Sequence, residues 1–282
     1  MQFSQLETLN YNFKYIELGD GFPLIFMHGY PGRPQNFRRI FPYLSDFKII
    51  SIALPCLDYT TIKDNRKPPT TIEERVDSVD EFLEKKNIKQ CLVIAHSMAG
   101  PIGAALTKRN SEKILGLVLI ASVGLYPYKA FRKSKPDLAY KLISTPVLRN
   151  LFKPLMKHVF YRLRFPKGIS VHALNYVLHC AHDFSFVEHS KNITSLSCPI
   201  LNIWSEDDHM IEMQSQIDLS EALQKGSNLK FKTGGHNPQK EFPEQMAFGI
   251  KDWMKKSGLS AKIQKDYPQT KSVGSAQIPE IS

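Results

Sequence analysis

The strongest constraint on this fold is a series of short, wholly apolar runs, each closed by a turn and separated by stretches with helical periodicity. Residues 49–54, 91–95, 115–121 and 199–204 carry almost no polar side chains. Runs of that length without alternation suit strands buried on both faces, as in a parallel sheet covered by helices. Residues 35–44, 72–86, 102–109, 210–223 and 242–254 read as helices between or after them. In the second of these, Thr71 and Glu74 form a capping-box pair, and Val76, Val79, Phe82 and Leu83 make one apolar stripe. Residues 11–18 alternate like a half-buried strand. A Gly19-Asp20-Gly21 turn and the apolar run 23–27 follow, which suggests a hairpin. Repeated strand–helix alternation is the pattern of βαβ units and an α/β architecture.

The alternation breaks once. Residues 123–195 read as helical and basic, without a convincing strand, before strand and helix resume. Between Gly124 and His182 lie eleven Lys and Arg against the single acid Asp137, which equals the whole chain's net charge of +10. The positive field therefore belongs to an insertion. The expected organisation is a core over residues 1–122 and 196–256, a basic helical cap over 123–195, and a flexible polar tail over 257–282.

A hydrophobic fraction of 42% and a charged fraction of 23% exclude wholesale disorder in this 282-residue chain. The longest apolar run, residues 114–125, is too short to cross a bilayer, and the first ten residues lack a secretory pattern. A cytoplasmic protein is the expectation. Cys56, Cys91, Cys180 and Cys198 are widely spaced, and the histidines of the insertion lack ligand spacing, so neither a disulfide framework nor a metal site is expected. His158, His172, His179, His182 and His189 read instead as pocket lining or surface. No glycine-rich phosphate loop is present, so no nucleotide cofactor is expected. The basic insertion contains no recognised nucleic-acid module, and nucleic acid is not an expected partner.

Three loops carry chemistry. Ala95-His96-Ser97-Met98-Ala99-Gly100 leaves an apolar strand and opens a helix. A serine there sits on a tight turn, with small residues two before and two after it to let backbones pass. Trp204-Ser205-Glu206-Asp207-Asp208 ends a later strand in acids, and Gly234-Gly235-His236 follows the next. A serine needs a base to take its proton and an acid to orient that base. Each loop alone is also an ordinary cap or turn; the ordered set points to nucleophilic catalysis. His28-Gly29-Tyr30-Pro31-Gly32 leaves the first apolar strand, with Tyr30-Pro31 a candidate cis bond. The amides of Tyr30 and Met98 are candidates to hold an oxyanion.

Through these four motifs the chain resembles the α/β-hydrolase family over residues 10–256, on the serine hydrolase (esterase- or lipase-like) side. The resemblance implies a mostly parallel eight-stranded sheet flanked by helices, with a helical cap inserted after the sixth strand. It also implies Ser97 as nucleophile, His236 as base, Asp208 rather than Asp207 as acid, and oxyanion donors at the Tyr30 and Met98 amides. No metal or organic cofactor is implied. Serine at the nucleophile position disfavours the aspartate-dependent epoxide hydrolases and dehalogenases of the family. Ala95, Ala99 and Ser205 stand where glycine is common.

Within the cap, Thr145-Pro146 starts a helix on which Leu148, Leu151, Phe152, Leu155, Met156 and Val159 recur at three- and four-residue steps, with Pro154 expected to kink it. Leu148, Phe152 and Met156 are the candidate substrate contacts. That helix either closes an apolar pocket or lies on an anionic membrane surface. Hydrolysis of carboxylic esters with apolar acyl chains is the expected activity. Carbon–carbon bond or thioester hydrolysis, and weakly catalytic ligand binding, stay open as alternatives, as does the oligomeric state.

Overall fold

The apolar runs are strands of one sheet in the computed structural model, which describes residues 1–55, 59–64, 66–145, 158 and 170–266. The strands are β1 (Ser4–Glu7), β2 (Tyr11–Leu18), β3 (Pro23–Met27), β4 (Lys48–Ile52), β5 (Thr61–Ile62), β6 (Cys91–His96), β7 (Ile114–Ile120), β8 (Ile200–Ser205) and β9 (Gly226–Phe231). Their order is β1-β2-β4-β3-β6-β7-β8-β9, with the two-residue β5 paired to β2 off that path. Pairing is antiparallel at β1·β2 and β2·β4, and parallel from β4 to β9. The expected hairpin is corrected here: β2 pairs with β4, and β3 lies beyond it between β4 and β6. A Gly-Asp-Gly turn reverses the chain equally well into a neighbouring or a more distant sheet position.

Side chains alternate across the sheet and are apolar on both faces. Ile25, Met27, Val93, Ala95, Leu117 and Leu119 enter one buried cluster, while Leu24, Phe26, Leu92, Ile94, Val118 and Ile120 enter the other. This is why these runs show no polar alternation. The first face is covered by α1 (Ile72–Lys85), α2 (Ala99–Arg109) and helices of the insertion. Thr71 caps α1 as expected: its hydroxyl accepts the Glu74 amide at 3.2 Å, and Glu74 accepts the Thr71 amide at 3.0 Å.

The insertion leaves the sheet after β7, the sixth strand of the eight-strand path. It supplies α3 (Lys129–Ser134), α4 (Pro136–Ser144), α5 (Val171–His182) and α6 (Phe186–Thr194). The stripe that includes Leu148, Phe152 and Met156 falls outside the described residues. His189 is not pocket lining or surface. It is fully buried on α6, and its Nε2 lies 3.2 Å from the Val123 carbonyl.

After the insertion come α7 (Met213–Ala222), α8 (Pro238–Glu241), α9 (Pro243–Lys256) and α10 (Leu259–Asp266). Two further expectations are corrected. Residues 35–44 form two 3-10 turns, Pro34–Phe37 and Phe41–Leu44, because Pro42 removes a backbone donor in mid-segment. The polar segment after Ser257 starts with α10, whose Leu259 and Ile263 pack into the second cluster beside Trp253. Two buried apolar side chains on one helical face are enough to dock an otherwise polar helix.

Three buried histidines make stability depend on acid. Burial pushes His28 and His189 down to about 4 and His96 to about 3, from an ordinary 6.5. Below about 6.5 the unfolded chain takes up protons that the folded chain refuses, so folding stability falls as pH drops toward 4. Each histidine contributes up to about 3 kcal/mol over that window. Urea midpoints should therefore decline steadily from pH 7 to pH 4.5, and His189→Gln should flatten the decline. A midpoint independent of pH would contradict this assignment of the neutral histidines.

Candidate active site

The three expected residues meet at the carboxyl ends of the parallel strands. Ser97 follows β6, Asp208 follows β8, and His236 follows β9, so the sheet order delivers them to one edge. The Ser97 hydroxyl lies 2.8 Å from His236 Nε2, and His236 Nδ1 lies 2.8 Å from Asp208 Oδ2. All three are largely withdrawn from solvent; the Asp208 side chain is 0% exposed and that of His236 is 12% exposed.

Ser97 holds φ at +55°, a left-handed conformation that costs a side-chain-bearing residue energy and persists only where surroundings enforce it. Here its amide donates to the Ile120 carbonyl at 2.9 Å, and its carbonyl accepts the Gly100 amide at 2.9 Å. Crowding leaves little alternative. A Cβ on Gly100 would stand 1.9 Å from Ser122 Oγ, and one on Gly29 would stand 2.8 Å from Ser97 Cβ. The small residues Ala95 and Ala99 are both fully buried beside the turn.

Asp208 is separated from Asp207 by what each touches. Asp208 Oδ1 accepts the amides of Met210 at 2.7 Å and Ile211 at 3.2 Å, leaving Oδ2 for His236. Burial raises the Asp208 pKa, but the His236 contact and those amides outweigh it and hold the carboxyl below its ordinary value. Asp207 instead accepts the Gly235 amide at 2.8 Å and so ties down the histidine loop.

Two residues whose roles are not legible in the sequence complete the frame. His96 is buried, and its Nε2–H donates to the His236 carbonyl at 2.8 Å. The two rings lie 5.0 Å apart. His28 accepts the Leu54 amide on Nε2 at 3.1 Å and donates from Nδ1 to the Gly29 carbonyl at 2.9 Å, fixing the loop after β3. That loop contains a cis Tyr30-Pro31 peptide. The amides of Tyr30 and Met98 make no hydrogen bond to another described residue.

A cavity of about 60 Å³ is lined by Ser97 and His236 together with Tyr30, Met98, Tyr128, Phe131, Val177, Leu178 and Ile211. Phe131 and Val177 belong to the insertion, so core and insertion share its wall. Among the described residues no group of three metal-ligating side chains converges, and no helix is long and apolar enough to cross a membrane.

The comparisons agree with this architecture. A putative lipase from Acinetobacter baumannii superposes with a TM-score of 0.72 at 17% identity, covering 94% of this chain and 92% of that one. A thermophilic esterase from Thermogutta terrifontis superposes at 0.70 and 16% identity, covering 91% and 99%. In sequence, lipase 3 of a Moraxella strain is 25% identical over 240 residues, 78% of this chain and 73% of its own. An uncharacterised hydrolase, YugF, of Bacillus subtilis is 23% identical over 250 residues, 82% and 89%. The family described as alpha/beta hydrolase fold matches residues 23–243, and the chain belongs to that family as a hydrolase.

Proposed function

We propose that the protein is a serine hydrolase that cleaves carboxylic esters through an acyl-enzyme. The unbroken contact from Ser97 Oγ through His236 to Asp208 carries this reading, with 2.8 Å at both joints. Ionised Asp208 selects the tautomer with Nδ1–H, which leaves the Nε2 lone pair facing the Ser97 hydroxyl. As Ser97 attacks the ester carbonyl, Nε2 takes its proton. The oxyanion is held by the Tyr30 and Met98 amides. His236 then protonates the departing alcohol, and a water repeats the sequence to free the acid.

Apolar walls formed by Met98, Tyr128, Phe131, Val177 and Leu178 suit a substrate with hydrocarbon next to the scissile carbonyl. The relatives named lipase and esterase favour the ester reading.

Ser97→Ala should fold like wild type and lose ester turnover by about a thousandfold or more. Turnover within a few-fold of wild type, read on short-chain p-nitrophenyl esters, would sink the assignment. His96 is a positioning residue, since it touches the carbonyl of His236 and not the reacting atoms. His96→Phe should lower kcat by roughly 10- to 100-fold, with little change in KM, and His96→Gln should restore part of it. A change confined to thermal stability would leave His96 with a packing role alone.

A further inference from the structure

Behind the cavity wall lies a cation that the chemistry above does not use. Arg75 sits on the core face of α1 and is 0% exposed, the largest fully buried side chain described. Its Nε donates to the Thr71 carbonyl at 3.0 Å, but neither Nη1 nor Nη2 has a hydrogen-bond partner. A guanidinium stays charged at any pH that a folded protein survives, so this is a fixed positive charge inside the protein.

No carboxylate of a described residue answers it. Glu74, the adjacent acid, gives its carboxylate to the Thr70 and Thr71 amides at 2.9 and 3.0 Å. The groups in the guanidinium's field are Cys180, Tyr30 and Tyr176, all neutral in their ordinary state. The guanidinium carbon stands 5.5 Å from the centroid of the Tyr30 ring, and that ring is 5.8 Å from Tyr176. The Tyr30 hydroxyl is itself buried without a hydrogen-bond partner. Tyr30 and Cys180 both line the cavity that holds Ser97 and His236, so they form the wall between the nucleophile and Arg75.

One small region beside the cavity thus holds a buried hydroxyl donor and a planar fork of N–H donors bearing full charge, with no anion supplied by the described chain. Guanidinium forks match carboxylates in shape and charge, and such charge-assisted contacts strengthen away from water. We infer that Arg75 and the Tyr30 hydroxyl form a carboxylate seat behind the Tyr30 and Cys180 wall of the cavity, reached when that wall parts around the acyl chain. The preferred substrate is then a monoester of a dicarboxylic acid, with its free carboxylate on this seat and its ester carbonyl at Ser97. This inference rests on the ester-hydrolase reading for its catalytic half, and on Arg75 and Tyr30 alone for its binding half.

The two halves are tested separately. The first experiment compares hydrolysis of monoethyl succinate, glutarate and adipate with ethyl butyrate, pentanoate and hexanoate, followed by acid release. Wild type should favour the anionic ester over its neutral counterpart by about tenfold or more in kcat/KM at one of these lengths, mainly through KM. R75M should collapse that ratio to about one or below, R75K should keep part of it, and Y30F should reduce it. Preference for the neutral chain at all three lengths in wild type overturns the proposal even if R75M fails to fold. A guanidinium held only by stacking on Tyr30 would shift thermal stability and leave the ratio unchanged, which also overturns it.

The second experiment measures binding of succinate, glutarate and adipate to Ser97→Ala by calorimetry, against butyrate, pentanoate and hexanoate. Tighter binding of one dicarboxylate, lost in the Ser97→Ala, Arg75→Met double variant, supports the seat even if no ester is turned over. Equal binding of the two series overturns it.

Discussion

Everything at the candidate site depends on how closely three backbone segments pass at the carboxyl edge of the sheet. The turn after β6 is pressed between the loop after β3 and the segment after β7, with Gly29 against Ser97 and Gly100 against Ser122. In that space Ser97 is held at a φ of +55°, and its hydroxyl is presented to the loop after β9. Neither glycine tolerates a Cβ without moving backbone or a packed side chain. The strain at one residue is offset by cooperative burial of the strands on either side, whose residues are almost all fully inaccessible. A rigid parallel sheet therefore comes first, and the geometry of Ser97 follows from it.

Environment sorts chemically identical side chains into different tasks. His28 and His96 sit beside the same turn as His236, yet both are enclosed and held neutral by burial, His28 spending both ring nitrogens on backbone groups and His96 its Nε2. His236 alone faces a carboxylate on one nitrogen and a hydroxyl on the other. The two adjacent aspartates divide in the same way: Asp208 orients the histidine ring, while Asp207 secures the backbone of its loop. Arg75 is the counter-example, a buried charge with no such partner among the described residues, and so it draws attention to the far wall of the cavity.

Much of this was legible in the chain. The apolar runs marked the buried strands because parallel strands covered on both faces carry no polar alternation. Ser97, Asp208 and His236 stood out because each follows such a run, in an order that one sheet edge can unite. The structure brings these residues together as the sequence arrangement suggests. What stayed hidden depends on pairing in space. The hairpin expectation at Gly19–Gly21 missed β4 because a turn does not specify which strand the returning chain will meet. The roles of His96, His28 and Arg75 rest on partners far off in sequence; a histidine beside a serine looks the same whether its ring is buried or solvated. The helix at Leu259–Asp266 is hard to read from the sequence because only Leu259 and Ile263 mark its buried face.

On the function proposed above, the contacts around Ser97 make its hydroxyl a working nucleophile. Intact mass after brief exposure to a fluorophosphonate tests it most directly, because that reagent needs an activated serine and an oxyanion site but little substrate recognition. One adduct per chain is expected, mapped to the peptide containing Ser97, with labelling slowed strongly by His236→Ala and less by Asp208→Asn. Absence of an adduct on folded protein, or an adduct at another serine, would contradict it.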